Sequence, residues 1–371
     1  MLSGVFGMIE KKTKKNNAIE LLRFIYSMSV LGFHICKYLF GEPSLKKGIH
    51  FSMFPHGALG VEFFFILSGI LMASSIDKEL RNNDNTNDLP KEEYNFMKKK
   101  IKAIFSYHVI SFIITYITYI VVNNSGIGKS IKILISSIPS FFLLQMSGLT
   151  IHNLNHIEWY ISVMLLVMAI LYPFVKKYYN NFVKIVCPII AIMLLGYLQY
   201  NYQSITGVMV YNGLFFKSFI RGLAEIMLGL FLYEVSKNLK EKEFNKKKKI
   251  LLTLVEFILY ILSFLMIMLT IPKSYEIMII FIFSLALPLT FSNITYSSNI
   301  FKYKIFAFLG KITLPIYLVQ LSAIWIIHKY DLNNGYIIST LDTLVLTFFF
   351  VFVVMLIDYL KNKIIIKLKK V

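Results

Sequence analysis

Apolar runs of about 20 residues recur from one end of this 371-residue chain to the other, and each is long enough for a helix to cross a bilayer. They read as ten spans, at 18–40, 57–76, 101–123, 157–175, 182–199, 213–235, 250–271, 275–292, 305–327 and 339–360. The expected fold class is therefore an all-α polytopic transmembrane bundle, a single membrane domain over 1–371. Composition agrees. The chain is 57% hydrophobic and 16% charged, against about 25% charged in soluble domains. The longest polar stretch, 77–100, reads as a mixed-charge loop too poor in apolar residues for a core of its own. Residues 1–17 read as a short N-terminal segment without a cleavable signal, and 361–371 as a basic tail.

A net charge of +19 would point to nucleic acid in a soluble protein. Here the lysines cluster between apolar runs, so topology and contact with anionic lipid head groups account for them, and no nucleic-acid partner is expected. A further apolar stretch, 130–146, is interrupted by Pro139. If it does not cross and the N-terminus is inside, the inside segments hold 28 Lys and Arg. The outside segments then hold six: Lys46, Lys47, Lys129, Lys132, Lys273 and Lys329. The excess of positive charge on cytoplasmic segments then places both termini in the cytoplasm of a plasma-membrane protein. It also makes 130–146 a re-entrant or interfacial helix on the outer side. The two cysteines, Cys36 and Cys187, lie inside spans, so neither a disulfide framework nor a metal site is expected.

Charge inside the bilayer is costly, so each intramembrane ionisable residue is a candidate for function. The chain has 36 Lys and only three Arg, of which Arg23 and Arg221 lie in spans. Where positive charge alone suffices, this sequence uses Lys. Arg offers instead a permanent charge and a planar fork for carboxylate or phosphate. Arg23 and His34 share the first span, about 16 Å apart along the axis and about 20° apart around it. They thus face the same way, Arg toward the cytoplasm and His in the outer half. Spacing alone suits a snorkelling Arg and a packing His equally well. Cys36 lies about 200° round from His34, which argues against a Cys–His dyad.

Glu62, five residues into the second span, is expected at a depth like that of His34, where it would orient the imidazole. Arg221 and Glu225 stand four apart in the sixth span. The plain reading is an intrahelical ion pair. With Lys217 one turn away, the surplus positive charge also suits an anionic ligand. Lys98, Lys99, Lys100 and Lys102 lead into the third span, with Tyr107 and His108 just inside. They read as a topogenic run or as a site for a phosphorylated cytoplasmic donor. Trp159, at a span boundary, reads as an aromatic-belt anchor. Glu256, Gln320, Asp342 and Asp358 read as helix–helix contacts.

Several stretches line up with one family. Arg23-Phe24-Ile25 with Gly32-Phe33-His34 matches an Arg-x10-His signature. Gly60 to Gly69 is similar to a second-helix signature. Glu158 to Ser162, Arg221 to Gly229 and Leu309 to Leu318 follow in order. The chain resembles the membrane acyltransferase family 3, whose members decorate surface polysaccharides and peptidoglycan. The resemblance implies ten core spans and an acyl-CoA donor, acetyl-CoA foremost with succinyl-CoA as the alternative. It implies His34 as catalytic residue with Glu62 beside it, and Arg23 with Lys98, Lys99, Lys100, Lys102 and Tyr107 on the donor. The acceptor would be a surface glycan or lipid-linked saccharide, met by Trp159, Arg221 and Glu225. Two departures stand out. The family's Arg, Arg and Pro at the third helix are Lys100, Ala103 and Ser106 here. The late Tyr-Leu-x-His pattern reads Tyr317-Leu318-Val319-Gln320. The competing function class is a transporter or flippase of a lipid-linked glycan, which uses similar intramembrane charges.

Overall fold

A computed structural model describes residues 16–41, 54–82, 88–149, 154–330 and 335–368. Lys11, Lys12, Lys14 and Lys15, the loop residues 83–87, Lys46, Lys47, Lys369 and Lys370 lie outside the described residues. Ten helices of 15 residues or more correspond one to one with the ten spans. They are α1 Asn17–Leu39, α2 Gly60–Arg81, α3 Leu89–Val122, α5 Trp159–Lys177, α6 Cys187–Tyr202, α7 Lys217–Lys240, α8 Lys246–Met268, α9 Met278–Ser292, α10 Lys304–Tyr330 and α11 Tyr336–Leu368. Between α3 and α5 lies a shorter helix, α4 Ile127–Ser136. A two-residue antiparallel pairing, Tyr211–Asn212 with Phe215–Phe216, is the only strand pairing among the described residues.

Nine of the ten carry windows long and apolar enough to cross a membrane. The tenth, α7, is equally long but carries Lys217, Arg221, Glu225 and Glu234, all buried. It sits inside the bundle, packed against α2, α5, α6 and α9. By contrast α8 turns Leu251, Leu254, Ile258, Ile261 and Leu265 outward, and α11 turns Val345, Phe349 and Phe352 outward. Such faces would aggregate in water and are what a lipid-facing helix presents.

The stretch 77–100 corrects the loop expected there. Residues 77–81 finish α2 and 89–100 begin α3. The reason is local. Asp88 caps α3 by accepting from the Lys91 N–H at 3.2 Å, Pro90 sits in the first turn and Glu92 follows it. At 34 residues α3 is about 50 Å long and projects beyond a hydrocarbon core of about 30 Å. The expected tail is likewise helical as far as Leu368.

Helix α4 has 10 residues, about 15 Å, too short to cross. It runs back along α3. Tyr116 donates to the Ser130 carbonyl at 2.9 Å, and Phe141 packs on Phe112 at 5.3 Å and on Phe105 at 5.8 Å. The chain thus descends to mid-helix before α5 begins. Helix α2 also starts low, since Gly57 abuts Ser29 and Phe33 in mid-α1. Both lowered starts lie at the end of the bundle that holds His34.

Two glycines set the closest crossing. Gly69 of α2 and Gly229 of α7 face each other, and a Cβ on either would meet backbone of the other helix. Gly229→Leu is expected to abolish the packing, read as loss of monodisperse protein in detergent, whereas Gly196→Leu, with open space around it, leaves it intact.

Candidate functional site

A polar seam runs between α1, α2, α5, α7 and α10. At one end, Arg23 Nη1 bonds Glu20 Oε2 at 2.8 Å, and the Arg23 side chain remains 30% exposed. Glu20 in turn lies over Gly310 of α10, where any side chain would displace it. Arg23 also lies within electrostatic reach of the Tyr160 hydroxyl. That hydroxyl bonds Ser68 Oγ at 2.9 Å and donates to the Phe64 carbonyl at 3.1 Å, two contacts it can satisfy at once.

Midway stands an ion cluster. The Arg221 fork donates to Glu62 through both Nε, at 2.8 Å from Oε2, and Nη2 to Oε1. Glu225 Oε1 is 3.6 Å from Arg221 Nε, and the Trp159 ring lies 5.4 Å from Cζ. All four residues are buried. Two expectations are corrected here. Glu62 does not reach His34. Its neighbour Phe63 packs on Tyr26 at 4.6 Å, eight residues before His34 and so about 12 Å along α1. The expected intrahelical pair of Arg221 with Glu225 is present at 3.6 Å, and Glu62 adds a closer, two-pronged partner from across the helix interface. Trp159 is not a belt residue, because α5 begins at mid-depth and places it over the guanidinium. With carboxylate, indole and a second carboxyl around it, Arg221 keeps no open face for an anionic ligand. Lys217 is also committed, donating to the Ser204 carbonyl at 2.7 Å and to that of Thr206.

At the end opposite Arg23 the seam reaches His34. Its Nδ1 lies 3.2 Å from Gln320 Oε1 of α10, and its ring is 5.9 Å from that of Tyr38. The Tyr38 hydroxyl bonds His156 Nε2. Among the described residues His34 Nε2 has no hydrogen-bond partner. Cys36 turns away to Tyr336, 3.1 Å from its hydroxyl, as its position around the helix requires.

The lysines leading into the third span divide. Lys98 and Lys102, one turn apart, line a groove of about 460 Å³ with Lys361 of α11, Tyr94, Ile101 and Phe105. Lys100 lies on another face, over the Phe96 ring at 5.2 Å, and Lys99 is exposed. Tyr107 is half-buried one turn further in. Ser106 bonds Asp358 of α11 in place of the family's proline.

His108 and Glu158 form a second buried pair that spacing did not reveal. His108 Nδ1 is 3.2 Å from Glu158, and Nε2 donates to the Phe141 carbonyl at 3.0 Å. Glu158 also accepts from Gln145 Nε2 at 3.2 Å and Asn155 Nδ2 at 3.0 Å. The pair therefore ties the returning segment to α3 and α5. Glu158→Ala leaves these buried donors unpaired, a loss of about 1–3 kcal/mol each. The expected result is a lower melting temperature and faster proteolysis between Leu143 and Asn155, which Glu158→Gln reduces.

With this geometry in view, comparison with known proteins gives one match. No curated protein and no solved structure matches. The family model described as Acyltransferase domain, that of acyltransferase family 3, matches residues 16–360. It spans all ten long helices and takes in α1 with Arg23 and His34, the α2–α7 crossing and the Gln320 turn. The chain therefore belongs to the membrane acyltransferase family 3.

Proposed function

We propose that this protein moves an acyl group, acetyl foremost, from cytoplasmic acyl-CoA to a hydroxyl of an extracytoplasmic or lipid-linked glycan at the plasma membrane, with both termini in the cytoplasm. The observation that carries the reading is the placement of His34. It lies at the end of the seam opposite Arg23, half-buried, with one ring nitrogen engaged by Gln320 and Nε2 without a hydrogen-bond partner among the described residues. Nε2 takes the proton of the acceptor hydroxyl as its oxygen attacks the thioester carbonyl. The C–S bond breaks, an ester forms, and the imidazolium returns the proton to the leaving thiolate. Arg23 and the Lys98–Lys102–Lys361 groove lie toward the opposite end, where they suit the phosphates of the donor. Tyr38 and His156 border His34 on the acceptor side.

The test uses purified protein in proteoliposomes with acetyl-CoA labelled in the acetyl group outside and a glycan acceptor inside. Thiol release matched by labelled glycan supports the reading. Glycan movement without thiol release would instead identify a flippase.

A further inference from the structure

We propose that Gln320 is a positioning residue, holding His34 in the tautomer with its proton on Nδ1 so that Nε2 is the basic nitrogen. The assignment rests on a chain of contacts with one consistent proton arrangement. The Gln320 amide Nε2 lies 3.0 Å from the Tyr317 carbonyl, a group that only accepts. The NH2 end of the amide must therefore point there, which fixes the usual ambiguity of amide orientation. Its oxygen then faces His34 Nδ1 at 3.2 Å, and a neutral imidazole can meet it only by donating from Nδ1. The other nitrogen, Nε2, is left with its lone pair.

Rigidity comes from the same turn. Gln320 is 1% exposed, so its amide is shielded from bulk water. Pro315 lies one turn earlier in α10, and the Tyr317 hydroxyl donates to the Ile157 carbonyl just before α5. Helix α10 packs along α1 over much of its length, with Ser27 Oγ 3.4 Å from the Thr313 carbonyl. The amide thus holds the imidazole from a fixed helix, as a backbone carbonyl or carboxylate does in other catalytic histidines. Gln320 is thus the helix–helix contact expected of an in-span amide, and its partner across the interface is His34.

The catalytic half of this inference rests on the acyl-transfer reading of His34, and the tautomer half does not. Protein labelled with 15N-histidine separates them, with the His34 signals identified by their absence in His34→Gln. Wild type is expected to show a protonated Nδ1 and an unprotonated Nε2. Gln320→Met, close in size but without an acceptor, is expected to lose that preference. Its kcat for acyl transfer should fall about 10- to 100-fold, a part of what a general base contributes, with the KM for acetyl-CoA unchanged. Gln320→Glu restores an acceptor for Nδ1–H and should recover both the tautomer and most of kcat. An Nε2-protonated His34 in wild type overturns the proposal, as does Gln320→Met that keeps wild-type tautomer and kcat. If wild type shows the expected tautomer but transfers no acyl group, the function reading fails while the tautomer assignment stands.

Discussion

His34→Gln is expected to lower acyl transfer by about 10²–10⁴-fold, the range that one general base supplies, with protein yield and melting temperature near wild type. The expectation of a folded variant comes from position. His34 is half-buried, and among the described residues one hydrogen bond, to Gln320, holds its ring. A Gln side chain can keep a polar contact at that place but cannot act as a base near neutral pH. The KM for acyl-CoA should stay within a few-fold, since the donor phosphates are assigned to the other end of the seam. Single-turnover transfer in proteoliposomes measures the chemical step directly. A variant that transfers at the wild-type rate would remove His34 from the reaction. A variant that loses rate and folded protein together would place it in the packing instead. His156→Gln is the informative partner, because it sits two aromatic contacts away and is assigned no proton transfer.

The ten helices were legible because each rests on a local property, about 20 apolar residues bounded by charge. Helix α7 shows how far that holds. It carries four buried charged side chains, yet its register between apolar neighbours marks it as a span. Two features were misread because a charged stretch looks alike in solvent and in a projecting helix. Residues 89–100 are helical through the cap at Asp88 and the turn that follows, a signal present in the sequence but outweighed by polarity. Partnerships were less legible than positions. Glu62 was placed by counting residues from a span boundary, whereas α2 starts against mid-α1, a turn and more below the expected level. The lowered start of α5 moved Trp159 from the interface to the Arg221 guanidinium. Neither is a property of a single helix. The first follows from the packing of Gly57 on mid-α1, the second from the returning segment between α3 and α5, whose His108–Glu158 anchor joins residues 50 apart in sequence. Gln320 was visible as an in-span polar residue, but its partner lies 286 positions away.

Arg221→Met is expected to destabilise the protein by about 3–5 kcal/mol, because it leaves the buried Glu62 carboxylate without its counterpart, and Glu62→Leu by less, because Glu225 stands 3.6 Å from Arg221. Arg221 is 1% exposed and Glu62 fully buried, and the two share a bidentate contact across the α2–α7 interface. That interface is also where Gly69 and Gly229 bring the backbones together, so the helices cannot slide to let water reach a stranded charge. The double variant Glu62→Leu with Arg221→Met removes both charges and keeps apolar bulk. Replacing a buried pair in this way is often neutral or stabilising, so the double variant should recover most of the yield that each single loses. Glu225 sharpens the argument. It lies 3.6 Å from Arg221, and neither of its oxygens meets a hydrogen-bond donor by distance and angle among the described residues. One guanidinium needs one anion, and Glu62 supplies it. Glu225→Gln is therefore expected to match wild type in melting temperature where Glu62→Gln does not. Thermal melts of the five variants in one detergent decide the matter. A double variant as unstable as the singles would mean that the cluster holds shape rather than charge. An active double variant would show that acyl transfer does not draw on Arg221, as its enclosure by Glu62, Glu225 and Trp159 implies.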